Sequence, residues 1–335
     1  MKRRLKRLSI PLRDPFVTAG GVVNARELLL LELEDDRGVI GRGEAAPFEP
    51  YDGVPIGQVI SALTRQRGRR PPQARAAEEL ARLDLEARQE ERPVGEPGAG
   101  AIPVNFTLAA GPAEELAERA AAGVRAGYST FKVKVGLPDD AERVRTVRAA
   151  IGSWPALRID ANGAWDVDQA VQAIRELEEN DLQLVEQPCR TLEELAEVRE
   201  RVAAPIAADE PIATADDVRA AVAAGACDAV SVKLAMSGGF GPAREALRAA
   251  AELGLGAYLS STLDGPWGIA AALRLAASER ITMACGLATL DLFDAALGRA
   301  LPAPANGVLA VPEGPGFGVE VPAASVSEVL VEELE

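Results

Sequence analysis

Histidine is absent from this chain of 335 residues. Its absence excludes Ser-His-Asp and Cys-His nucleophiles, histidine-ligated zinc and every mechanism with an imidazole base. Acid–base chemistry is left to carboxylates, lysine, tyrosine or cysteine. Cysteine is scarce: Cys189, Cys227 and Cys285 are too few and too scattered for a disulfide framework and lack metal-site spacing. They read as small buried residues of a reducing compartment. Long apolar runs are missing too, which excludes a membrane span. The start, MKRRLKRLSIPLRDPF, lacks the apolar core of a secretory signal, so a cytoplasmic location is expected. Basic charge is in deficit: 36 Lys+Arg against 51 Asp+Glu give −15, spread along the chain, which disfavours nucleic acid or an anionic membrane as partner.

Lysine is the rarest charged residue. Of the 36 basic residues, only Lys2, Lys6, Lys132, Lys134 and Lys233 are lysine, and the rest are arginine. An ammonium can lose its proton near neutrality and a guanidinium cannot, so lysine persists where a proton is to be moved. Lys2 and Lys6 fall in the basic N-terminal run and read as solvated. The other three lie in apolar, β-branched stretches.

From residue 101 onward a short apolar run and an amphipathic segment alternate every 23 to 28 residues, the period of a βα unit. The apolar runs are 102–108, 131–135, 157–160, 182–186, 206–209, 229–234, 257–261 and 283–287. Helical segments at 113–128, 141–151, 168–180, 192–202, 215–225, 241–254 and 268–278 lie between them. Eight units favour a (β/α) barrel over an open doubly wound sheet. Residues 1–97 do not share this rhythm: a hairpin of 28–33 and 39–42, followed by a helix over 72–91, predicts a separate α+β capping domain. The barrel is expected over 101–300, and the Pro/Gly-rich segment 301–335 is expected to leave it and pack back on the cap.

Barrel chemistry sits at the C-terminal ends of the strands. There the sequence places Asp160, Glu186 and Asp209 on three successive runs, Lys233 on the next, and Lys132 and Lys134 on one face of the second. Three carboxylates cannot remain unpaired in a concave site. A hard divalent cation answers that demand, and all-oxygen ligation selects Mg²⁺, with Mn²⁺ as substitute. Beside it, the lysines are expected to fall towards neutrality and act as amine bases. The set implies a proton taken from the carbon next to a carboxylate, with the charge developing on an enolate.

The residues Lys132-Val-Lys134, Asp160-Ala-Asn162, Glu186-Gln-Pro188, Asp209-Glu210 and Lys233 resemble the enolase superfamily in its muconate-lactonizing-enzyme subgroup. The resemblance implies an α/β fold, a modified (β/α)₇β barrel under an α+β cap. It further implies Asp160, Glu186 and Asp209 as Mg²⁺ ligands, Lys134 as base, Lys132 as the group that tunes it, and Lys233 on the opposite face of the substrate. Asn162, Ser260 and Ser261 are implied to bind a small-molecule carboxylate. Within the subgroup, Ser260-Ser-Thr-Leu-Asp-Gly-Pro-Trp-Gly268 and Ala284-Cys-Gly-Leu287 are similar to o-succinylbenzoate synthases of menaquinone biosynthesis. N-acylamino acid racemases and dipeptide epimerases are the alternatives. The epimerases carry Asp-x-Asp on the last strand, where this chain has Asp291 and Asp294 three apart. A non-catalytic metal-binding member of the fold is the reading from another class, and the sequence leaves a homo-oligomer open.

Two weaker signals remain. Ser237-Gly-Gly-Phe-Gly241 opens a helix and reads either as a phosphate cradle or, lacking both nucleotide fingerprints, as a tight turn. Residues 14–24 and 47–54 read equally as substrate-facing loops of the cap or as plain loops.

Overall fold

Leu28, Leu29, Leu30 and Leu31 are all fully buried, so the strand that carries them is covered on both faces. The computed structural model describes residues 1–18, 21–65 and 70–334. The leucines lie in β2 (Gly21–Glu34), between β1 (Lys2–Thr18) and β3 (Ile40–Ala45) in an antiparallel sheet. Leu28 and Leu30 join Leu8 and Ile10 in the core shared with the barrel. Leu29 and Leu31 pack with Leu63, Ala77 and Ala81 of α2 (Ile56–Arg65) and α3 (Pro72–Gln89). Gly41 and Gly43 allow α3 to lie directly on β3, because a Cβ at either would collide with the α3 backbone. A short helix, α1 (Glu49–Asp52), precedes α2.

The basic start is an ordered strand rather than a loose run, with Lys2 exposed as expected. It is β1, flanked by acidic strands, with Lys2 3.2 Å from Glu34, Lys6 2.8 Å from Glu32 and Arg7 3.1 Å from Glu332. Residues 14–24 also depart from the loop expected. As far as they are described they continue β1 and β2, with Phe16 opposite Val23, while 19 and 20 lie outside the described residues.

The second half alternates strand and helix. Its order is β4 (Ala101–Pro103), β5 (Phe106–Leu108), α4 (Ala113–Arg125), β6 (Thr130–Lys134), α5 (Asp140–Ile151), β7 (Ala156–Asp160), α6 (Val167–Leu177), β8 (Leu182–Glu186) and α7 (Leu192–Arg201). It continues through β9 (Ile206–Ala208), α8 (Ala215–Ala223), β10 (Ala229–Lys233), α9 (Leu234–Ser237), α10 (Phe240–Glu252), β11 (Gly256–Ser260) and α11 (Pro266–Ser278). The strands β5 to β11 form one parallel sheet of seven, in sequence order. Helix starts follow local chemistry: Asp166, Thr191 and Thr214 each cap the helix that follows in a reciprocal capping box.

Two of the eight expected strands differ. Residues 102–108 are split into β4 and β5, because the chain changes partner there: Val104 N–H bonds Gly307 and Asn105 N–H bonds Cys285. Residues 283–287 form no regular strand, yet they link the two edges of the sheet, with Val104 bridged to Cys285 and Ser260 to Gly286. The curled sheet therefore closes through a minimal eighth member.

Beyond the barrel, β12 (Val308–Ala310) pairs with β4, and α12 (Ala323–Val329) leads into β13 (Leu330–Leu334), which pairs with β1. Among the described residues, no helix is long and apolar enough to cross a membrane.

Gly238 and Gly239, at φ of +93° and +133°, make the turn before α10. The Gly241 N–H at that helix start donates to the Glu79 carboxylate of α3 at 3.1 Å. The Ser237–Gly241 stretch is thus a turn whose helix end is taken by a carboxylate of the cap.

Candidate active site

Side chains alternate along a strand, so Lys132 and Lys134 of β6, Arg158 and Asp160 of β7, Ser231 and Lys233 of β10, and Tyr258 and Ser260 of β11 fall on like faces in pairs. Register aligns their ends: Lys134 lies opposite Asp160, Asp160 opposite Glu186, and Lys233 opposite Ser260. The charged residues therefore share one level at the C-terminal end of the sheet. Lys132 Nζ is 2.8 Å from Asp160 and 2.7 Å from Glu186. Lys134 Nζ is 2.5 Å from Asp160 Oδ2 and 2.6 Å from Asn162 Oδ1. Lys233 pairs with Asp209. Asp160 and Glu186 are 1% exposed, Asp209 3% and Lys233 5%. Lys134 is the more open lysine, with 24% of its side chain accessible.

Three ammonium groups meet four carboxylates here, since Glu210 accepts from Asn162 Nδ2 at 3.0 Å. This excess of negative charge acts on Lys132 and Lys233 against the fall expected beside a metal ion. Burial by itself lowers Lys132, but Asp160, Glu186 and Asp209 outweigh it and raise the ammonium above its ordinary range. Lys233 is raised against burial in the same way by Asp209, Glu210 and Glu186. The carboxylates divide. Burial opposes ionisation of Asp160, yet Lys132 and Lys134 hold it well below the usual range. Burial raises Glu186, and Asp160 and Asp209 add to it. Burial and Asp209 push Glu210 up to about 8.

With the lysines interposed, the carboxylates are held apart. Among the described residues, no three His, Cys, Asp or Glu side chains are gathered closely enough to hold a metal ion. The donor set itself suits a hard cation, being all oxygen on three successive strands.

Other residues join the site. Tyr258, 1% exposed, donates its hydroxyl to Glu186 Oε2 at 2.6 Å. The Arg158 guanidinium lies 5.0 Å from the Tyr258 ring centroid and bonds the Ala284 carbonyl at 2.8 Å. Gln187 accepts from the Asp209 N–H at 2.7 Å and fixes that strand end. From the cap, Tyr51 of α1 donates to Asp209 Oδ2 at 3.2 Å, and its ring centroid is 4.8 Å from Lys233 Nζ. Residues 47–54 thus reach the barrel mouth. Ser260 and Ser261 stand aside from the lysine pairs: Ser260 accepts from Ser231 at 3.0 Å, and Ser261 lies 3.0 Å from Thr289 Oγ1. Alternation backward from Ser260 could have found Tyr258. The sequence marks the 47–54 stretch as a candidate loop but does not single out Tyr51, 158 positions from its partner.

Residues 115–325 match the family model described as enolase C-terminal domain-like. The o-succinylbenzoate synthase of Thermobifida fusca is 39% identical over 309 residues, covering 90% of this chain and 86% of that protein. The L-Ala-D/L-Glu epimerase of Clostridium acetobutylicum is 30% identical over 346 residues, covering 93% and 96%. Among solved structures, 2-chloromuconate cycloisomerase from Rhodococcus opacus superposes with a TM-score of 0.91 at 25% identity, over 99% of both chains. Dipeptide epimerase from Enterococcus faecalis, complexed with Mg and the dipeptide L-Leu-L-Tyr, gives 0.85 at 25%, over 96% of this chain and 99% of that one. The chain therefore belongs to the enolase superfamily, in its muconate-lactonizing-enzyme subgroup.

Proposed function

We propose that this protein removes the proton α to a carboxylate of a small acid, with Mg²⁺ as cofactor, and that its reaction is the dehydration carried out by o-succinylbenzoate synthases. The observation that carries the reading is the placement of Lys134 and Lys233 on β6 and β10, with Asp160, Glu186 and Asp209 on the strand ends between them. The likeness to the Thermobifida fusca synthase over 90% of the chain supports the choice of dehydration. A cytoplasmic location accords with that role.

Asp160, Glu186 and Asp209 would hold the Mg²⁺, for which their all-oxygen set is suited. A dication there would supply positive charge to the developing enolate and would offset the carboxylates that raise Lys132 and Lys233. The rest is the work of the chain. Lys134, held by Asp160 and Asn162 at the open side of the cluster, takes the α-proton on Nζ. The electron pair released passes first into the carboxylate as an enolate and then forms the Cα–Cβ double bond as the β-hydroxyl leaves, with Lys134 returning its proton to that oxygen so that water departs. Lys233 holds its ammonium on the opposite side, where it stabilises the enolate. Lys132, between Asp160 and Glu186, keeps positive charge beside Lys134.

A second reading, epimerisation or racemisation, uses the same two lysines as a proton donor and a proton acceptor. The epimerase of Clostridium acetobutylicum, similar over 93% of this chain, favours it. The test is incubation with Mg²⁺ in D₂O of a hydroxylated cyclohexadiene carboxylic acid, the class of acid whose dehydration gives an aromatic product, and in parallel of acylamino acids and dipeptides. Dehydration gives rising aromatic absorbance. Deuterium entering an acylamino acid or dipeptide, without that absorbance, moves the assignment to the second reading. A protein that binds Mg²⁺ and exchanges no α-proton is a binding member of the fold.

A further inference from the structure

A buried guanidinium outside the lysine cluster has no part in the chemistry above. Arg26 of β2 is 2% exposed. It donates to the Thr262 and Leu263 carbonyls after β11, at 3.2 Å each, and to the Ala46 carbonyl after β3 at 2.8 Å. It also bonds the carbonyls of Pro47 and Glu27 and lies 5.0 Å from the Phe48 ring centroid. One side chain thus grips two loops that are more than two hundred residues apart in sequence, one from the cap and one from the barrel. Their other contacts converge on the same seam. Thr262 Oγ1 donates to the Ala46 carbonyl at 3.3 Å, and the Gly265 and Gly268 N–H groups at the start of α11 donate to Glu44 at 2.6 and 3.3 Å.

The cap side of this seam is the root of α1, which carries Tyr51. Asp52 ties off the far end, accepting from the Phe48 and Val54 N–H groups at 2.8 Å each and from Gln73 at 2.7 Å. Tyr51 is therefore held from both sides, over Asp209 and Lys233. We propose that Arg26 is a positioning residue for the active site: by binding the 46–47 and 262–263 carbonyls together, it sets α1 and so fixes Tyr51 against Asp209 and Lys233. A planar fork with five N–H donors can span both loops, whereas a lysine ammonium presents all its donors from one atom. Only the kinetic part of this inference rests on the proton-abstraction reading.

The test is amide hydrogen exchange of the full-length chain, read by mass spectrometry on peptides covering 48–54, 262–268 and the cap strands. In Arg26→Lys, which keeps the charge, exchange at 48–54 and 262–268 is expected to quicken about ten-fold or more while the cap strands keep their protection. Should this variant not fold, the wild type is followed in rising urea, where 48–54 and 262–268 should open together before global unfolding. Unchanged exchange in a folded variant, or separate opening of the two segments, overturns the proposal. In turnover, Arg26→Lys should raise KM about ten-fold with a smaller change in kcat, and adding Tyr51→Phe should cost less than the two single effects combined. Full additivity contradicts a role exerted through Tyr51. A wild type inert towards every carboxylate would remove the proton-abstraction reading and leave the exchange result standing.

Discussion

Two of the places where the molecule buries charge are built around different cations. At the seam between cap and barrel, Arg26 lies with Glu44 and Asp264; at the barrel mouth, Lys132, Lys134 and Lys233 lie with Asp160, Glu186, Asp209 and Glu210. Burial pulls Arg26 down only to about 10, so it remains a fixed cation whose donors are spent on carbonyls. The lysines spend theirs on carboxylates, in pairs that a change of local charge can rearrange. A guanidinium thus serves where carbonyls are gripped, and ammonium groups stand where, on the proposed function, a proton moves. A third setting, the ion-pair ladder of β1, runs from the partly buried Lys6–Glu32 pair to the exposed Lys2, and there both lysine and arginine serve.

The sharpest break in the comparison is to put the seam's cation into the mouth. Lys134→Arg should lower α-proton exchange and turnover by about a hundred- to ten-thousand-fold, since a guanidinium cannot accept the proton. Near-normal turnover would move the base to Lys233 or to a carboxylate. Next in size is Tyr258→Phe, which removes the hydroxyl from Glu186 and keeps the ring beneath Arg158. Mn²⁺ affinity, read by titration without substrate, should fall about ten- to a hundred-fold, the usual consequence of losing a bond that orients a ligand. Equal affinity would show that Glu186 needs no such support.

At the seam, burial and the neighbouring Asp264 push Glu44 up to about 8. A carboxyl raised on folding takes up a proton as the chain folds. Its contribution is therefore full below the unfolded carboxylate range and is lost as the pH climbs through the folded value. Wild-type stability should fall between about pH 5 and about pH 8 by an amount that Glu44→Gln lacks. Urea unfolding across that range measures it, and parallel curves for the two proteins would contradict the assignment. The smallest effect belongs to the ladder. Arg7→Gln should change unfolding free energy by less than about 1 kcal/mol, because water screens its pairs with Glu27 and Glu332.

What could be read from the sequence divides along the same line. Barrel strands declare themselves by runs such as Phe131–Val133 and Leu184–Val185, buried on the sheet and repeated at regular spacing. The lysine and carboxylate positions follow from strand ends and alternation. The cap hides its logic. Leu28 to Leu31 show no alternation because both faces of β2 are covered, and β1 looks like a charged tail until its acidic neighbours are known. Tyr51 and Arg26 act across contacts of 158 and more than two hundred positions, which no local pattern encodes. The upward shifts of Lys132 and Lys233 escape the sequence for another reason: they depend on how closely Asp160, Glu186 and Asp209 surround the two ammonium groups, which only the folded chain sets.

The central claim is that Lys134 and the carboxylate row beside it form a site for removing an α-proton. Its most direct measurement is deuterium incorporation at the α-carbon of candidate acids in D₂O, by NMR, with and without Mg²⁺, in the wild type and in Lys134→Arg. The account predicts Mg²⁺-dependent exchange in the wild type and its loss in the variant. Exchange that survives in Lys134→Arg, or that ignores Mg²⁺, would contradict it.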